Sequence, residues 1–251
     1  MASEGSIRLH LLGRLVVFLP TSKRSGQLAL SFRDRPAVKH LLEAHGVPHT
    51  EVGQLRAGGE RIDFSYLPQD GDLIEVFPAS PGLDELSGLH RDGRLTIEPR
   101  FLLDNHLGRL AALLRMLGFD CLYRNDYQDE YLAQIAASGE RILLSRDRRL
   151  LMRKIVRYGY CLRSLAPGEQ ITEVLERFAL AEHIHPFHRC LRCNTPLQAV
   201  EKSEILEKLK PLTQLYYDEF HRCPACGQVY WKGSHYERMV ARLEQLLPGP
   251  I

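Results

Sequence analysis

Hydrophobic and polar residues follow one pattern before residue 80 and another after residue 100. Two short runs with the spacing of β-strands come first, at residues 7–12 and 27–32. Val38, Leu41 and Leu42 then repeat at helical spacing, and further short strand-like runs end with residues 70–78. This order predicts a small α+β domain over residues 1–82.

From residue 100 onward, short apolar runs alternate with segments of helical spacing. The strand-like runs lie at residues 101–103, 119–123, 141–145 and 160–162, and the segments between them predict three helices, the last a basic helix reaching Arg157. This βαβαβαβ order predicts a parallel sheet with helices on its faces, hence an α/β core over residues 100–180. Residues 83–99 are rich in turn-forming residues and predict a linker, and residues 181–251 form the last predicted domain.

Composition is that of a globular protein, with 44% apolar and 25% charged residues in 251. No apolar run is long enough to span a membrane, and the N-terminus is a poor secretory signal, so we expect a cytoplasmic protein without membrane contact.

The charge is unevenly distributed. Residues 100–163 carry a net charge of +5, from 12 basic and 7 acidic residues, whereas residues 1–82 are balanced. Such a block suits a polyanion bound with metal ions, although random scatter of charge on a solvated surface is an open alternative.

Acidic residues follow two of the predicted strands directly. Asp104 and Asp147 stand at strand ends, and Asp129, Asp126 and Glu130 lie at the start of the intervening helix. Ligands of open parallel sheets bind beyond the carboxyl ends of the strands, so these carboxylates can converge on Mg²⁺ or Mn²⁺. Such a site activates water and neutralises charge at a phosphodiester. The alternative is that Asp104 and Asp147 cap helices and that Asp126 and Asp129 form a capping-box variant.

Four arginines flank these acids in the sequence: Arg109, Arg146, Arg148 and Arg149. The guanidinium group matches phosphate geometry, so these side chains are candidates for positioning an RNA backbone without reading its bases. A solvated helix face is the alternative.

Two Cys-x-x-Cys pairs give the strongest motif, Cys190 with Cys193 and Cys223 with Cys226. Four thiolates in two such pairs suit tetrahedral Zn²⁺ in a closed structural site. The 29 residues between the pairs exceed the usual spacing, which predicts a small helix or hairpin inserted near residues 199–209. Free or redox-active thiols are the alternative, and His221 and His235 are less favoured ligands.

The N-terminal domain resembles the ubiquitin-like sulfur-carrier proteins, which have the β-grasp fold. The resemblance rests on residues 36–42, on 46–48 and on the run Gln-Asp-Gly-Asp-Leu-Ile-Glu-Val-Phe-Pro at 69–78. Those carriers act through a free C-terminal Gly-Gly, whereas Gly58-Gly59 here is internal. We therefore expect a binding module with a protein partner rather than a sulfur-transfer accessory.

The remainder resembles the Mut-seven C-terminal RNase-domain family. Matching stretches are Phe-Leu-Leu-Asp at 101–104, the leucine-rich segment 107–120, Arg-Ile-Leu-Leu-Ser-Arg-Asp at 141–147, and residues 194–197 and 229–235. The resemblance implies a PIN-like nuclease core with a C-terminal zinc ribbon. It also implies RNA hydrolysis at a metal site formed by Asp104, Asp129 and Asp147, with Asp126 or Glu130 as a further acid. A non-catalytic RNA-binding or adaptor protein that keeps the fold is the alternative.

Overall fold

The computed structural model describes residues 4–80, 99–138 and 140–246. The predicted linker, residues 83–99, lies outside the described residues except for Pro99. The chain divides into two compact units, each drawn from two stretches. One unit comprises Met1–Thr96 with Asp126–Arg163, and the other comprises Ile97–Asn125 with Ser164–Ile251. No helix of the described residues has the length and hydropathy needed to span a membrane.

The N-terminal part is a five-stranded mixed sheet with one helix. Its elements are β1 (Glu4–Leu11), β2 (Gln27–Arg33), α1 (Val38–Ala44), β3 (Val52–Ala57), β4 (Glu60–Ile62) and β5 (Leu73–Pro78). The strand order is β2-β1-β5-β3-β4. Strand β1 runs antiparallel to β2 and parallel to the central strand β5, with Arg8 opposite Ala29 and Leu73 respectively. Val38 and Leu42, from the predicted helical stripe, are fully buried. The β-grasp prediction is therefore confirmed.

The internal Gly-Gly pair forms the turn between β3 and β4. Ala57 pairs with Glu60, so Gly58 and Gly59 are the two residues of the loop, and both have positive φ, at 57° and 86°. A two-residue hairpin of this kind needs left-handed backbone at both positions, which glycine adopts without strain. Gly58 and Gly59 thus form a hairpin turn, whereas the Gly-Gly pair of a carrier protein forms its free C-terminus.

The predicted alternation of strands and helices is present beyond residue 98. The elements are β6 (Arg100–Leu103), α2 (Gly108–Met116), β7 (Asp120–Leu122), α3 (Asp129–Ala137), β8 (Ile142–Ser145), α4 (Arg148–Leu151), β9 (Gly159–Cys161) and α5 (Pro167–Phe178). Strand β7 pairs parallel with β6 in the second unit, and β9 pairs parallel with β8 in the first. The α/β fold class is confirmed.

The predicted basic helix to Arg157 is wrong in its length. Helix α4 ends at Leu151, and the chain then turns so that Val156 and Tyr158 become buried. The amide of Val156 donates to the carbonyl oxygen of Arg153 at 2.9 Å, which closes that turn. Burial of these two apolar side chains outweighs the helical preference of the arginines and lysine around them.

In the first unit, the β-grasp part contacts residues 126–163 through buried polar groups. The 3₁₀ turn His49–Glu51 supplies two of them. The carboxylate of Glu51 accepts from the amide of Cys161 at 2.6 Å, and the His49 ring lies between Glu43 Oε1, at 2.8 Å, and the carbonyl oxygen of Val156, at 2.9 Å. Because buried polar groups are costly without partners, these bonds fix where the turn contacts β9.

The second unit has an aromatic core and a small C-terminal sheet. The Phe101 ring packs against the rings of Phe119 and Phe178 at centroid distances of 6.1 and 5.7 Å. The C-terminal elements are β10 (Gln198–Val200), α6 (Pro211–Tyr216), β11 (Phe220–Arg222), β12 (Val229–Trp231) and α7 (Ser234–Leu246). The three strands form an antiparallel sheet in chain order. The predicted insertion between the cysteine pairs is strand β10, two short 3₁₀ turns and helix α6.

Candidate metal centre and acidic residues

The four cysteines of the two Cys-x-x-Cys pairs lie in one cluster. Their sulfur atoms are all within 4.8 Å of one another. The Sγ atoms of Cys190 and Cys226 are 3.6 Å apart, and those of Cys193 and Cys223 are 3.3 Å apart. A tetrahedral zinc thiolate site with Zn–S bonds of about 2.3 Å separates its sulfurs by about 3.8 Å. The donor set and its spacing therefore fit one metal ion such as zinc.

Two identical backbone turns present these sulfurs. The amide of Asn194 donates to the Cys190 carbonyl at 2.9 Å, and the amide of Gly227 donates to the Cys223 carbonyl at the same distance. Asn194 and Gly227 both have a φ of 71°, the left-handed conformation that asparagine and glycine tolerate best. Each turn thus curls its two thiols toward the same point.

One thiol of the cluster and one neighbouring hydroxyl have pKa values shifted in opposite directions. Burial acts to raise the pKa of Cys193, but hydrogen bonds with Thr195 and with the neighbouring thiols outweigh it and lower the pKa to about 6. Burial raises the pKa of Tyr230, whose hydroxyl lies 3.2 Å from Cys190 Sγ and accepts from the Leu191 amide at 3.1 Å. Tyr230 therefore stays protonated and is a hydrogen-bonding neighbour of the thiol cluster.

Arg115 on α2 fastens the first cysteine turn to β7. Its guanidinium donates to the carbonyl of Cys121 through Nε, at 3.1 Å, and through Nη2, at 2.8 Å. Nη1 donates to the carbonyls of Leu191 and Arg192, at 3.0 and 2.9 Å. The side chain is buried, and burial lowers its pKa from the usual value. One buried cation thus satisfies three carbonyls from β7 and the cysteine turn.

Asn194 completes this attachment from the other side. Its Oδ1 accepts from the Cys121 amide at 2.9 Å, and its Nδ2 donates to Asp120 Oδ1 at 2.8 Å. Arg189 adds a bond from Nε to the carbonyl of Gly118 at 3.0 Å. The first cysteine turn is therefore bonded directly to the residues that follow α2 and to strand β7.

The structure places the predicted acids in different units. Asp104 follows β6 in the second unit and is buried, with 6% of its surface exposed. Asp126, Asp129, Glu130 and Asp147 belong to the first unit. Within that unit, Asp129 and Glu130 occupy the first turn of α3, while Asp147 precedes α4.

The capping alternative holds for one of these residues. Asp147 is the N-cap of α4, and its Oδ1 accepts from the Arg149 amide at 2.7 Å. The N-cap of α2 is Leu107 and that of α3 is Gln128, each without a side-chain bond, so Asp104 and Asp126 are not caps. Capping engages one oxygen of Asp147, and a carboxylate has further acceptor sites.

Arg153 brings three acids of the first unit around one positive charge. Its Nη2 donates to Glu130 Oε1 at 2.9 Å, and this bond raises the pKa of Arg153 and lowers that of Glu130. Asp129 and Asp147 also raise the pKa of Arg153 electrostatically. The three carboxylates therefore interact with one guanidinium, but within the described part of the chain only the four cysteines form a group of three or more possible metal ligands within 4.8 Å of one another.

The predicted phosphate-binding arginines are all exposed, but they differ in their contacts. Arg148 donates from Nη1 to the carbonyl of Phe18 at 3.1 Å, and its guanidinium lies 5.0 Å from the centre of the Phe18 ring. Arg146 and Arg149 flank Asp147 in the same unit, and Arg109 lies on α2 in the other. The Arg148 side chain thus contacts the β-grasp part and is also partly accessible to solvent.

Sequence reasoning missed the three residues Arg115, Asn194 and Arg153. Arg115 lies between the apolar residues Leu114 and Met116 in a helix, and an arginine at a buried position of an apolar stripe is the signal for a structural cation. Asn194 occupies the position after the first cysteine pair that Gly227 occupies after the second, which marks a left-handed turn.

Comparison with known families bears on both parts of the chain. The model of the Mut7-C RNAse domain matches residues 99–243, more than half of the chain. The model of the Mut7-C ubiquitin domain matches residues 5–84. Comparison with curated proteins and with solved structures gives no match. The chain therefore belongs to the Mut7-C RNAse domain family and has a Mut7-C ubiquitin domain ahead of its RNAse domain.

Proposed function

We propose that this protein is a ribonuclease that hydrolyses RNA phosphodiester bonds with Mg²⁺ or Mn²⁺ bound by carboxylates. The observation that carries the proposal is the match of residues 99–243 to an RNAse domain. The acids proposed from the sequence are Asp104, Asp129 and Asp147, with Asp126 and Glu130 as further candidates. The hydrogen bond from Arg153 to Glu130 supports the idea that this region favours a cation, since the charges of Asp129 and Asp147 also act on Arg153.

The chain's own residues have distinct tasks in this proposal. The carboxylates hold the ion, which when bound activates water and neutralises charge at the phosphodiester. The exposed guanidinium groups of Arg109, Arg146 and Arg149 position the RNA backbone, because their forks match phosphate oxygens. Arg148 contributes through its exposed side while contacting Phe18. These contacts address the backbone, so they select RNA by charge and shape rather than by base.

A direct test replaces Asp147 by asparagine. Asparagine caps helices as well as aspartate does, so Asp147→Asn keeps α4 while removing a charge from the proposed metal site. Loss of several kcal/mol of transition-state stabilisation corresponds to a fall in cleavage of about a hundredfold or more. Asp218→Asn is a matched control, since that carboxylate is 87% exposed and lies in the second unit. Equal cleavage by the two variants refutes the role of Asp147.

The alternative function is RNA binding without catalysis, in a protein that acts as an adaptor. It is favoured by the ubiquitin-like domain, a fold that suits protein partners. Asp104→Asn separates the two functions. A nuclease loses turnover with this substitution. A binding protein retains its affinity for RNA, and its unaltered form already shows no metal-dependent cleavage.

Further proposals concern the setting of this activity. We propose zinc as the ion of the cysteine cluster, with a structural role. We retain the domain boundaries 1–82, 83–99, 100–180 and 181–251, a protein partner for the ubiquitin-like domain, and a cytoplasmic location. Reduced thiolates that bind metal are typical of the cytosol, which supports that location. Elemental analysis of the purified protein tests the zinc proposal, and about one zinc per chain is expected, as one tetrahedral site requires.

A further inference from the structure

An aromatic-lined cavity lies in the C-terminal part of the second unit. Its volume is about 430 Å³, and it is bordered by the ribbon strands and the start of α7. Its aromatic lining residues are Phe187, Tyr230, Trp231 and Tyr236. We call this cavity the ribbon pocket. Four aromatic side chains around one opening provide flat apolar faces, which is more than a structural zinc ribbon needs.

The aromatic faces of the ribbon pocket are arranged to receive a planar group. The rings of Phe187 and Tyr236 pack with centroids 4.3 Å apart, which fixes one wall. Trp231 is 38% exposed although it lies in a strand. A Cβ at Gly233 would lie 2.7 Å from the Trp231 indole nitrogen, so this glycine leaves the space that the indole occupies. Exposed aromatic faces held in fixed positions are the feature on which unpaired bases stack.

Polar residues line the same pocket and suit the rest of a nucleotide. His188, His221 and Lys232 provide donors for phosphate or sugar oxygens. Glu219, whose Oε2 lies 3.3 Å from Lys232 Nζ, provides an acceptor for the exocyclic amino group of a base. Specific recognition of single-stranded RNA combines stacking with such hydrogen bonds to base edges.

A second cavity adjoins the ribbon pocket. It has a volume of about 320 Å³ and shares His188, Arg189 and Leu197 with the first. His183 and His185 also border it, so that together with His188 three imidazoles line this second cavity. Two adjacent cavities with a shared basic border offer room for consecutive nucleotides of one strand.

We propose that the ribbon pocket binds an unpaired base of single-stranded RNA, with Trp231 and the Phe187–Tyr236 pair as stacking faces. The volume is within the range of small-molecule sites, and its aromatic and imidazole lining favours a nucleotide over an aliphatic ligand. The inference rests on the proposed function only for the identity of the polymer as RNA. It assigns to the ribbon a role in substrate binding besides its structural role.

The first experiment uses the fact that Trp231 is the only tryptophan of the chain. Its fluorescence is followed in the full-length, zinc-loaded protein during titration with a short oligoadenylate, without added Mg²⁺ or Mn²⁺ so that the RNA stays intact. Stacking on the indole quenches the emission in a saturable way. Unchanged emission at saturation, or equal quenching by inorganic polyphosphate or by duplex RNA, overturns the proposal. Those ligands supply phosphate without an unpaired base.

The second experiment measures affinity by the anisotropy of the labelled oligoadenylate. Trp231→Ala is expected to weaken binding by about tenfold or more, since one stacked base contributes about 1–3 kcal/mol. Trp231→Phe retains a stacking face and is expected to recover most of the affinity. The control is Tyr216→Ala, which removes an aromatic side chain that is 70% exposed on α6, outside the pocket. Equal affinities of Trp231→Ala and Tyr216→Ala contradict the proposal.

Failure of the proposed function gives a different result from failure of the pocket. Asp147→Asn is expected to lose cleavage while showing the same quenching as the unaltered protein. If no cleavage is found in any variant but quenching is present, the pocket stands and the chain is the RNA-binding alternative. If cleavage is normal and Trp231→Ala has full RNA affinity, the ribonuclease stands and the pocket assignment is wrong. Zinc content is measured for every variant, so that a variant that fails to fold is recognised. In that case the fluorescence titration of the unaltered protein decides whether the pocket binds RNA.

Discussion

Arg115 offers the sharpest test of how the ribbon is attached to the rest of the second unit. Its buried guanidinium donates four hydrogen bonds to the carbonyls of Cys121, Leu191 and Arg192. Two of these carbonyls lie between Cys190 and Cys193 of the thiol cluster. Arg115→Ala removes all four bonds, and the alanine cannot replace any of them.

The size of the effect follows from what is left behind. A hydrogen bond to a charged group contributes about 1.5–3 kcal/mol, and the lower end of this range applies to the carbonyls of Leu191 and Arg192, whose bonds to Arg115 are only partly buried. The three carbonyls together therefore lose about 4.5–6 kcal/mol. The guanidinium recovers hydration in the unfolded state, and its lowered pKa shows that burial opposes its charge. This recovery offsets part of the cost, as it does for buried ion pairs, so we expect a net loss of about 3–5 kcal/mol.

Urea unfolding of the zinc-loaded protein, followed with a chromophoric zinc chelator, measures this loss. With a slope of about 2 kcal/mol per molar urea, the transition that releases zinc is expected to move down by about 2 M. Arg109→Ala is the matched control, because Arg109 is exposed on the same helix and its loss is expected to change stability by about 0.5 kcal/mol or less. If Arg115→Ala and Arg109→Ala release zinc at the same urea concentration, the attachment described above is wrong.

Three more predictions follow from the contacts. Cys223→Ser is expected to lower the bound metal from about one ion per chain to well below half, since structural zinc takes four ligands, and full occupancy by elemental analysis would contradict the site. Glu51→Ala removes the acceptor of the buried Cys161 amide and is expected to lower the free energy of unfolding by about 1–3 kcal/mol. Hydrogen exchange at the Cys161 amide is expected to become faster, and unchanged exchange would contradict the prediction. The pKa of Glu130 is lowered by Arg153, so this pair stabilises the fold above the unfolded pKa of Glu130 and ceases to do so as pH falls through the folded value. Arg153→Gln is expected to return the pKa of Glu130 to its ordinary range in a carboxyl NMR titration, and a pKa that stays low excludes this cause.

Local patterns determined the elements and the family of this protein. Alternating and helical spacings predicted the strands Arg100–Leu103 and Ile142–Ser145 and the helix Asp129–Ala137 to within about two residues, because each buries one apolar face. The cysteine spacing predicted the metal cluster, since two short turns bring their thiols together with little dependence on the rest of the fold. Acid positions at strand ends were also visible in the sequence, and their role as a metal site stays a prediction.

Other features were decided by tertiary structure alone. The basic segment after Asp147 has the composition of a helix, but burial of Val156 ended that helix at Leu151. The sequence around Arg115 gives no sign of its partners Leu191 and Arg192, which are more than seventy residues away. The ribbon pocket likewise joins Phe187, Trp231 and Tyr236 from three separate segments. Sequence spacing predicts contacts within one helix or strand. Which polar and aromatic groups meet across distant segments depends on how those segments pack, and this packing determined both the hydrogen bonds that attach the ribbon and the lining of the ribbon pocket.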